Sequence, residues 1–138
     1  MPGLSLADAR AALDAGLAEA DAIGQPMNVA VVDDGGHLLA FARQDGAIRA
    51  SIDIAQRKAR TSILMEAPTA ALMPLVQPGA ELYGLEQTAG GMVIFGGGIP
   101  IHRDGVLVGA VGVSAGSVEQ DVRVAEAAVA AVSSAVPA

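Results

Sequence analysis

Apolar residues in the first two dozen positions recur at helical spacing. Leu6, Leu13, Leu17 and Ala20 fall on one stripe, while Arg10, Asp14 and Glu19 face elsewhere. Ser5 can cap the free amides, with Asp8 three residues on in a weak capping box, and Gly24 and Pro26 end the helix. Residues 27–43 change period and predict a β-hairpin. Val29, Val31 and Val32 form a β-branched run, Asp34-Gly35-Gly36 supplies a positive-φ turn, and residues 37–43 return. The returning strand alternates Leu38, Ala40 and Ala42 against Leu39, Phe41 and Arg43, a pattern for burial on much of both faces. After the turn Gln44-Asp45-Gly46, Ser51 is the expected cap of a helix running to about Glu66. Ile52, Ala55, Ala59 and Ile63 point inward in that helix, and Lys58 lies off their stripe. Pro68, Pro74 and Pro78 punctuate a less regular stretch with one short helix near 69–73. Residues 91–114 read as two or three strands, with Asp104-Gly105 turning between 99–103 and 106–114. Ser117 and Gln120 form a capping box for a last helix, with Val118, Val122, Ala125, Val129 and Val132 at helical spacing.

The predicted order is α-β-β-α-(α)-β-β-β-α. Hairpins rather than crossovers join most strands, so the chain is expected to be α/β of the α+β kind, with a largely antiparallel sheet flanked by helices. No repeat, low-complexity tail or linker divides it, and residues 1–138 are expected to form a single domain.

Composition sharpens this picture. The chain is 52% apolar, mostly Ala and Val, with two Phe, one Tyr and no Trp. Such a core packs through many small contacts and suits closely approaching helices. An Ala-rich helix surface can also be covered by a second copy, so a homo-oligomer, a dimer or higher, is expected. The net charge of −7 leaves no basic stripe to release counterions from nucleic acid. Five of the bases (Arg43, Arg49, Arg57, Lys58 and Arg60) nevertheless gather in one region, as either a solvated helix face or a local anion site. With no cysteine there is neither a disulfide framework nor a thiolate metal site, and His37 and His102 lack zinc-ligand spacing. The N-terminus lacks signal-peptide character and no apolar run reaches membrane-spanning length. A cytoplasmic protein that binds neither membrane nor nucleic acid is the expectation.

Three local features carry chemistry. Asp33-Asp34-Gly35-Gly36-His37 is either a plain hairpin turn or the setting of an accessible imidazole able to ligate a metal or move a proton. Arg43-Gln44-Asp45-Gly46, followed by Ser51, Lys58 and Arg60, is either a set of surface ion pairs such as Arg43–Asp45 or an anion site. In the second case Arg43 and the helix start near Ser51 meet one carboxylate, with Lys58 reaching back. Gly96-Gly97-Gly98, behind Phe95, fits neither a Walker loop nor a dinucleotide fingerprint. It is either a structural bulge or a wall that a ligand approaches closely.

The segments PMNVAVVDDGGHLLAFARQDGA, SIDIAQRKARTS, FGGGIPIHRDGVLVGAVGVSAG and VEQDVRVAEAA, in this order, resemble the GlcG/HbpS-like family from about residue 6 to 131. The resemblance implies a profilin-like architecture, with an antiparallel sheet of about five strands, and assembly into homo-oligomers. It also implies haem or tetrapyrrole binding, since some members bind haem. On this chain that reading makes His37 the axial iron ligand, with Arg43 and Lys58 as propionate partners. Phe41, Asp45, Ser51 and Gly96 to Gly98 complete the expected ligand-binding set. The alternative is a cofactor-independent isomerase, lyase or hydratase acting on a small oxo- or hydroxy-carboxylic acid. Arg43 would then clamp the carboxylate, His37 or Lys58 would transfer a proton, and amides near Gly97 would steady an enolate.

Overall fold

A computed structural model describes residues 3–133. Its helices are α1 (Leu6–Ile23), α2 (Ala50–Met65) and α3 (Val118–Ala130), and its strands are β1 (Asn28–Asp33), β2 (Leu38–Arg43), β3 (Gly98–Arg103) and β4 (Val106–Ser114). Two 3-10 turns, Thr69–Leu75 and Leu85–Gln87, occupy the proline-punctuated stretch. The capping boxes of Ser5 with Asp8 and Ser117 with Gln120 form as the sequence predicts, and Gly24 closes α1 in the left-handed region.

The sheet is fully antiparallel with order β2-β1-β4-β3. It has four strands rather than about five. The missing strand is the stretch before Gly98, where Gly90, Gly91 and Gly97 take positive φ and interrupt any regular ladder. That stretch is tied down singly instead: the Val93 amide donates to Thr61 Oγ1 at 3.1 Å, and the Gly97 carbonyl accepts from the Val113 amide.

Helices α1 and α3 pack on one sheet face and on each other, and α2 covers the opposite face over β4, β1 and β3. The main core lies under α1 and α3, where Val29, Val31, Val111 and Val113 meet Val124, Ala125 and Ala128. The seam of α1 is made of small residues, Ala9, Ala12, Gly16 and Ala20, while Leu6 from the expected stripe stands 49% exposed. In α3 the inward face is Asp121, Val124, Ala125 and Ala128, and Val118 faces solvent. In both helices small residues win the inner positions because they let the helices approach closely. A Cβ on Gly16 would already touch that of Ala128 at 3.4 Å.

Helix α2 departs from expectation at two positions. It starts at Ala50 after Arg49, without a side-chain cap, and Ser51 is buried inside its first turn. The Ser51 hydroxyl is used by β4 instead, accepting from Ser114 Oγ at 3.0 Å. Lys58, expected off the inner stripe, is fully buried. Its Nζ donates to the Val113 carbonyl at 2.8 Å and to Asp121 Oδ2 at 3.0 Å, so one side chain ties α2 to β4 and to α3. Burial of an ammonium is tolerated here because a carboxylate and a carbonyl replace its water, with the Phe95 ring 5.0 Å away. No helix among the described residues is long and apolar enough to cross a membrane.

Candidate ligand-binding site

Because α2 lies over β4, β1 and β3, the edge strand β2 begins beside an open groove. Leu38 there is 51% exposed. A cleft of about 400 Å³ opens between this end of the sheet and the outer side of α2. Val32, Gly36 and Leu38 form its sheet wall, and Asp53, Gln56, Arg57 and Arg60 its helix wall. These four helix residues stand at i, i+3, i+4 and i+7, which puts them on one face.

Both arginines are oriented by the chain segment that closes the cleft. Arg57 Nε donates to Asp53 Oδ2 at 2.7 Å, and its Nη1 to the Gly90 carbonyl at 2.7 Å. Arg60 Nη1 donates to the Ala89 carbonyl at 2.8 Å. Among the described residues, the second Nη of each guanidinium keeps its N–H donors free for a ligand anion.

His37 sits at the lip of this cleft, between the wall residues Gly36 and Leu38, with its side chain 83% exposed. Its Nδ1 lies 3.3 Å from Asp33 Oδ1, and the same oxygen accepts the backbone amides of Gly35 and His37. Burial alone would raise the Asp33 carboxyl, but those amides and the imidazole together hold it below the ordinary carboxylate range. Among the described residues, Nε2 of this exposed ring has no hydrogen-bond partner, while Nδ1 faces the Asp33 carboxylate. Among the described residues, no group of three or more metal-ligating side chains gathers anywhere.

The other expected site residues are not brought to this cleft as a set. Arg43 lies at the far end of β2, roughly 20 Å from His37 by strand rise. With Asp45 it lines a separate pocket at the end of α1. Phe41 pairs with Ala30 and is half-buried between these two ends. Ser51 is 2% exposed and bonded to Ser114. Gly96, Gly97 and Gly98 are buried, and protein fills the space in front of them. A Cβ on Gly97 would lie 2.6 Å from Lys58 Nζ, and one on Gly98 2.5 Å from the Lys58 carbonyl. The glycine run therefore serves the close passage of Lys58 past β3, not an open wall. Desolvation lowers the Lys58 pKa and raises that of Asp121, each shift opposed by the other's charge. Buried and paired in this way, Lys58 reaches neither a propionate nor a substrate. The single proton-transfer site expected of Arg43, His37 and Lys58 is not assembled.

Residues 4–130 match the family model described as "Haem degrading protein HbpS-like". The chain belongs to the HbpS-like family. Its structure superposes on that of Klebsiella pneumoniae protein ORFY with a TM-score of 0.92 at 38% identity, covering 94% of this chain and 90% of that one. It superposes equally fully on a crystal structure of a PduOC:heme complex, with a TM-score of 0.90 at 41% identity and 94% of each chain covered. Among curated proteins, the corrinoid adenosyltransferase PduO of Salmonella typhimurium is 40% identical over 131 residues. This HbpS-like chain spans 94% of its own length in that alignment but only 39% of the adenosyltransferase.

The amino-acid sequence marked Arg57 only as a member of a basic cluster, and Arg60 as that and as part of an anion site built around Arg43. The signal that separates them from Lys58 is their spacing with Asp53 and Gln56, which defines one helix face opposite the buried one.

Proposed function

We propose that this HbpS-like chain binds a tetrapyrrole, with haem as the reference ligand, in the cleft between β2 and α2. The observation that carries the reading is the pairing in one place of an apolar sheet wall, two oriented guanidinium groups and an imidazole with its Nδ1 engaged. A haem needs those three things: a surface for the flat macrocycle, cations for its propionates, and a nitrogen for its iron. Leu38, exposed over the buried Val32, meets the first need, Arg57 and Arg60 the second, and His37 the third, so the residues present fit the group. When bound, haem supplies an iron centre and a strong chromophore. The cleft is open on one side. The heme complex of a relative 41% identical to this chain supports haem as the class of ligand.

Haemin titration of the purified protein in the Soret region tests it. A saturable shift is expected, changed in position or lost in His37→Ala and weakened in Arg57→Gln/Arg60→Gln. His37 is exposed, so its removal leaves folding intact. A non-saturating shift, or a saturating one unaltered in both variants, overturns the assignment.

A further inference from the structure

Where β2 and α1 both end, a second pocket of about 560 Å³ opens away from the β2–α2 cleft. Asp21, Arg43 and Asp45 all line it. None of the three is ion-paired: the ion pairs among the described residues involve other groups, so Arg43 stands beyond 4.0 Å from either carboxylate. Among the described residues, the Arg43 guanidinium and the Asp45 carboxylate therefore keep their charges free for a ligand.

Gln44, between Arg43 and Asp45, is fixed at both ends of its amide. Its Oε1 accepts the Met27 amide at 2.9 Å, and its Nε2 donates to Asp21 Oδ1 at 3.1 Å and to the Leu17 carbonyl at 3.3 Å. The Gln44 backbone amide also bonds the Met27 carbonyl at 3.0 Å. This clamp anchors the Gln44 backbone, from which Arg43 and Asp45 project on either side, to Met27 and the end of α1.

The end of α1 adds a further imbalance. Its last turn contains Asp21 and no basic residue, so a carboxylate sits at the negative end of the helix dipole. That placement opposes the usual preference and leaves a negative potential facing the pocket. The floor at Gly24 is open, since a Cβ there would meet nothing within 4 Å. A simple anion would be drawn by Arg43 and repelled by the rest, and a simple cation the reverse. Only a molecule carrying both charges satisfies the whole wall.

We propose that this pocket binds a zwitterionic small molecule of the amino-acid class. Its carboxylate lies on the Arg43 guanidinium and its ammonium between Asp21, Asp45 and the carbonyl end of α1. The site is independent of the tetrapyrrole cleft. Amide-resolved NMR titration of the whole chain tests it, with L-alanine and 4-aminobutyrate as zwitterions of two charge separations. Propionate and ethylammonium serve as the half-ligands. Saturating shifts at Gly24, Gln25 and Gly46 are expected with at least one zwitterion, with Kd of about 1 mM or tighter. Each half-ligand should bind at least about tenfold more weakly, and Arg43→Gln and Asp45→Asn should each weaken the zwitterion by about tenfold. Both variants are at exposed positions, so loss of fold does not confuse the result. Absence of saturation with both zwitterions, propionate binding as tightly as either, or shifts confined to Gly36 and Gly90 would each overturn the proposal.

Discussion

Replacing Asp121 by Asn isolates the energetic role of the buried Lys58–Asp121 ion pair. In the native state the Lys58 ammonium is 0% exposed and meets only Asp121 Oδ2, the Val113 carbonyl and the Phe95 ring. Asparagine preserves size and can still accept the Gly116 amide that Asp121 Oδ1 accepts at 3.0 Å. Its NH₂ group would then face the ammonium, donor against donor, and the positive charge would have no counter-ion. Removing one partner of a buried pair typically costs about 3–5 kcal/mol. Against a total of about 5–15 kcal/mol for a domain, that is a large share. Adding Lys58→Met removes the stranded charge while keeping an unbranched apolar stem in the channel past Gly97. The double variant should be more stable than Asp121→Asn alone, with a coupling of at least about 2 kcal/mol. Urea unfolding followed by circular dichroism, with all four proteins of the cycle compared at equal m-value, measures it. A cost below about 1 kcal/mol for Asp121→Asn, or additive single effects, would refute the reasoning.

Two further outcomes follow from packing and charge. The Arg103 guanidinium, followed by the Ser5 amide, lowers the Asp8 pKa from 3.8 to about 2, with Nη1 3.0 Å from Oδ2. The folded state thus releases this proton more readily than the unfolded one. The stabilisation is full above about pH 4 and is lost as pH falls towards 2. Both partners are about a quarter exposed, so the contribution should be nearer about 1 kcal/mol than the full shift implies. Asp8→Asn should flatten that acid limb in a pH series of unfolding curves, and an unchanged limb would refute the assignment. Gly112→Ala would drive a Cβ into the Ala55 carbonyl and against the Ala59 amide at 2.6 Å, whereas Gly16→Ala meets only ordinary contacts. The first should lower stability by at least about 1–3 kcal/mol and the second should leave it unchanged or improved, read by thermal unfolding.

The helices and hairpins were legible because their signals are local. The capping boxes at Ser5 and Ser117, the turn at residues 33–37 and the 104–105 turn all form where the residues predict them. Burial within a helix was less legible. Leucine and valine positions mark a stripe, yet α1 and α3 turn Ala and Gly inward because distance of approach outweighs side-chain size. Residues 91–114 offered two or three strands and the family resemblance about five in all; the stretch before Gly98 forms none, because positive-φ glycines interrupt it. The site was half visible. His37 stands at a cleft, but the reach of Lys58 through the layers depends on a partner 63 positions away, and no local pattern encodes that. Arg57 and Arg60 became distinguishable from the rest of the basic cluster only once the buried face of α2 was known.

The strand order β2-β1-β4-β3 places two strands from opposite halves of the chain side by side at the centre of the sheet. On a ribosome, β1 emerges with only its hairpin mate, and its second neighbour arrives once residues 106–114 have been made. Helix α1 can meet β1 and β2 early, but it waits longer still for α3, which covers the rest of its small-residue seam. An isolated two-stranded hairpin is at best marginally stable, so nearly all of residues 4–130 must be synthesised before any of the structure can hold. Nascent chains with this fold therefore stay open to chaperones and proteases until α3 clears the exit, and removal of α1 or α3 should abolish folding rather than trim it.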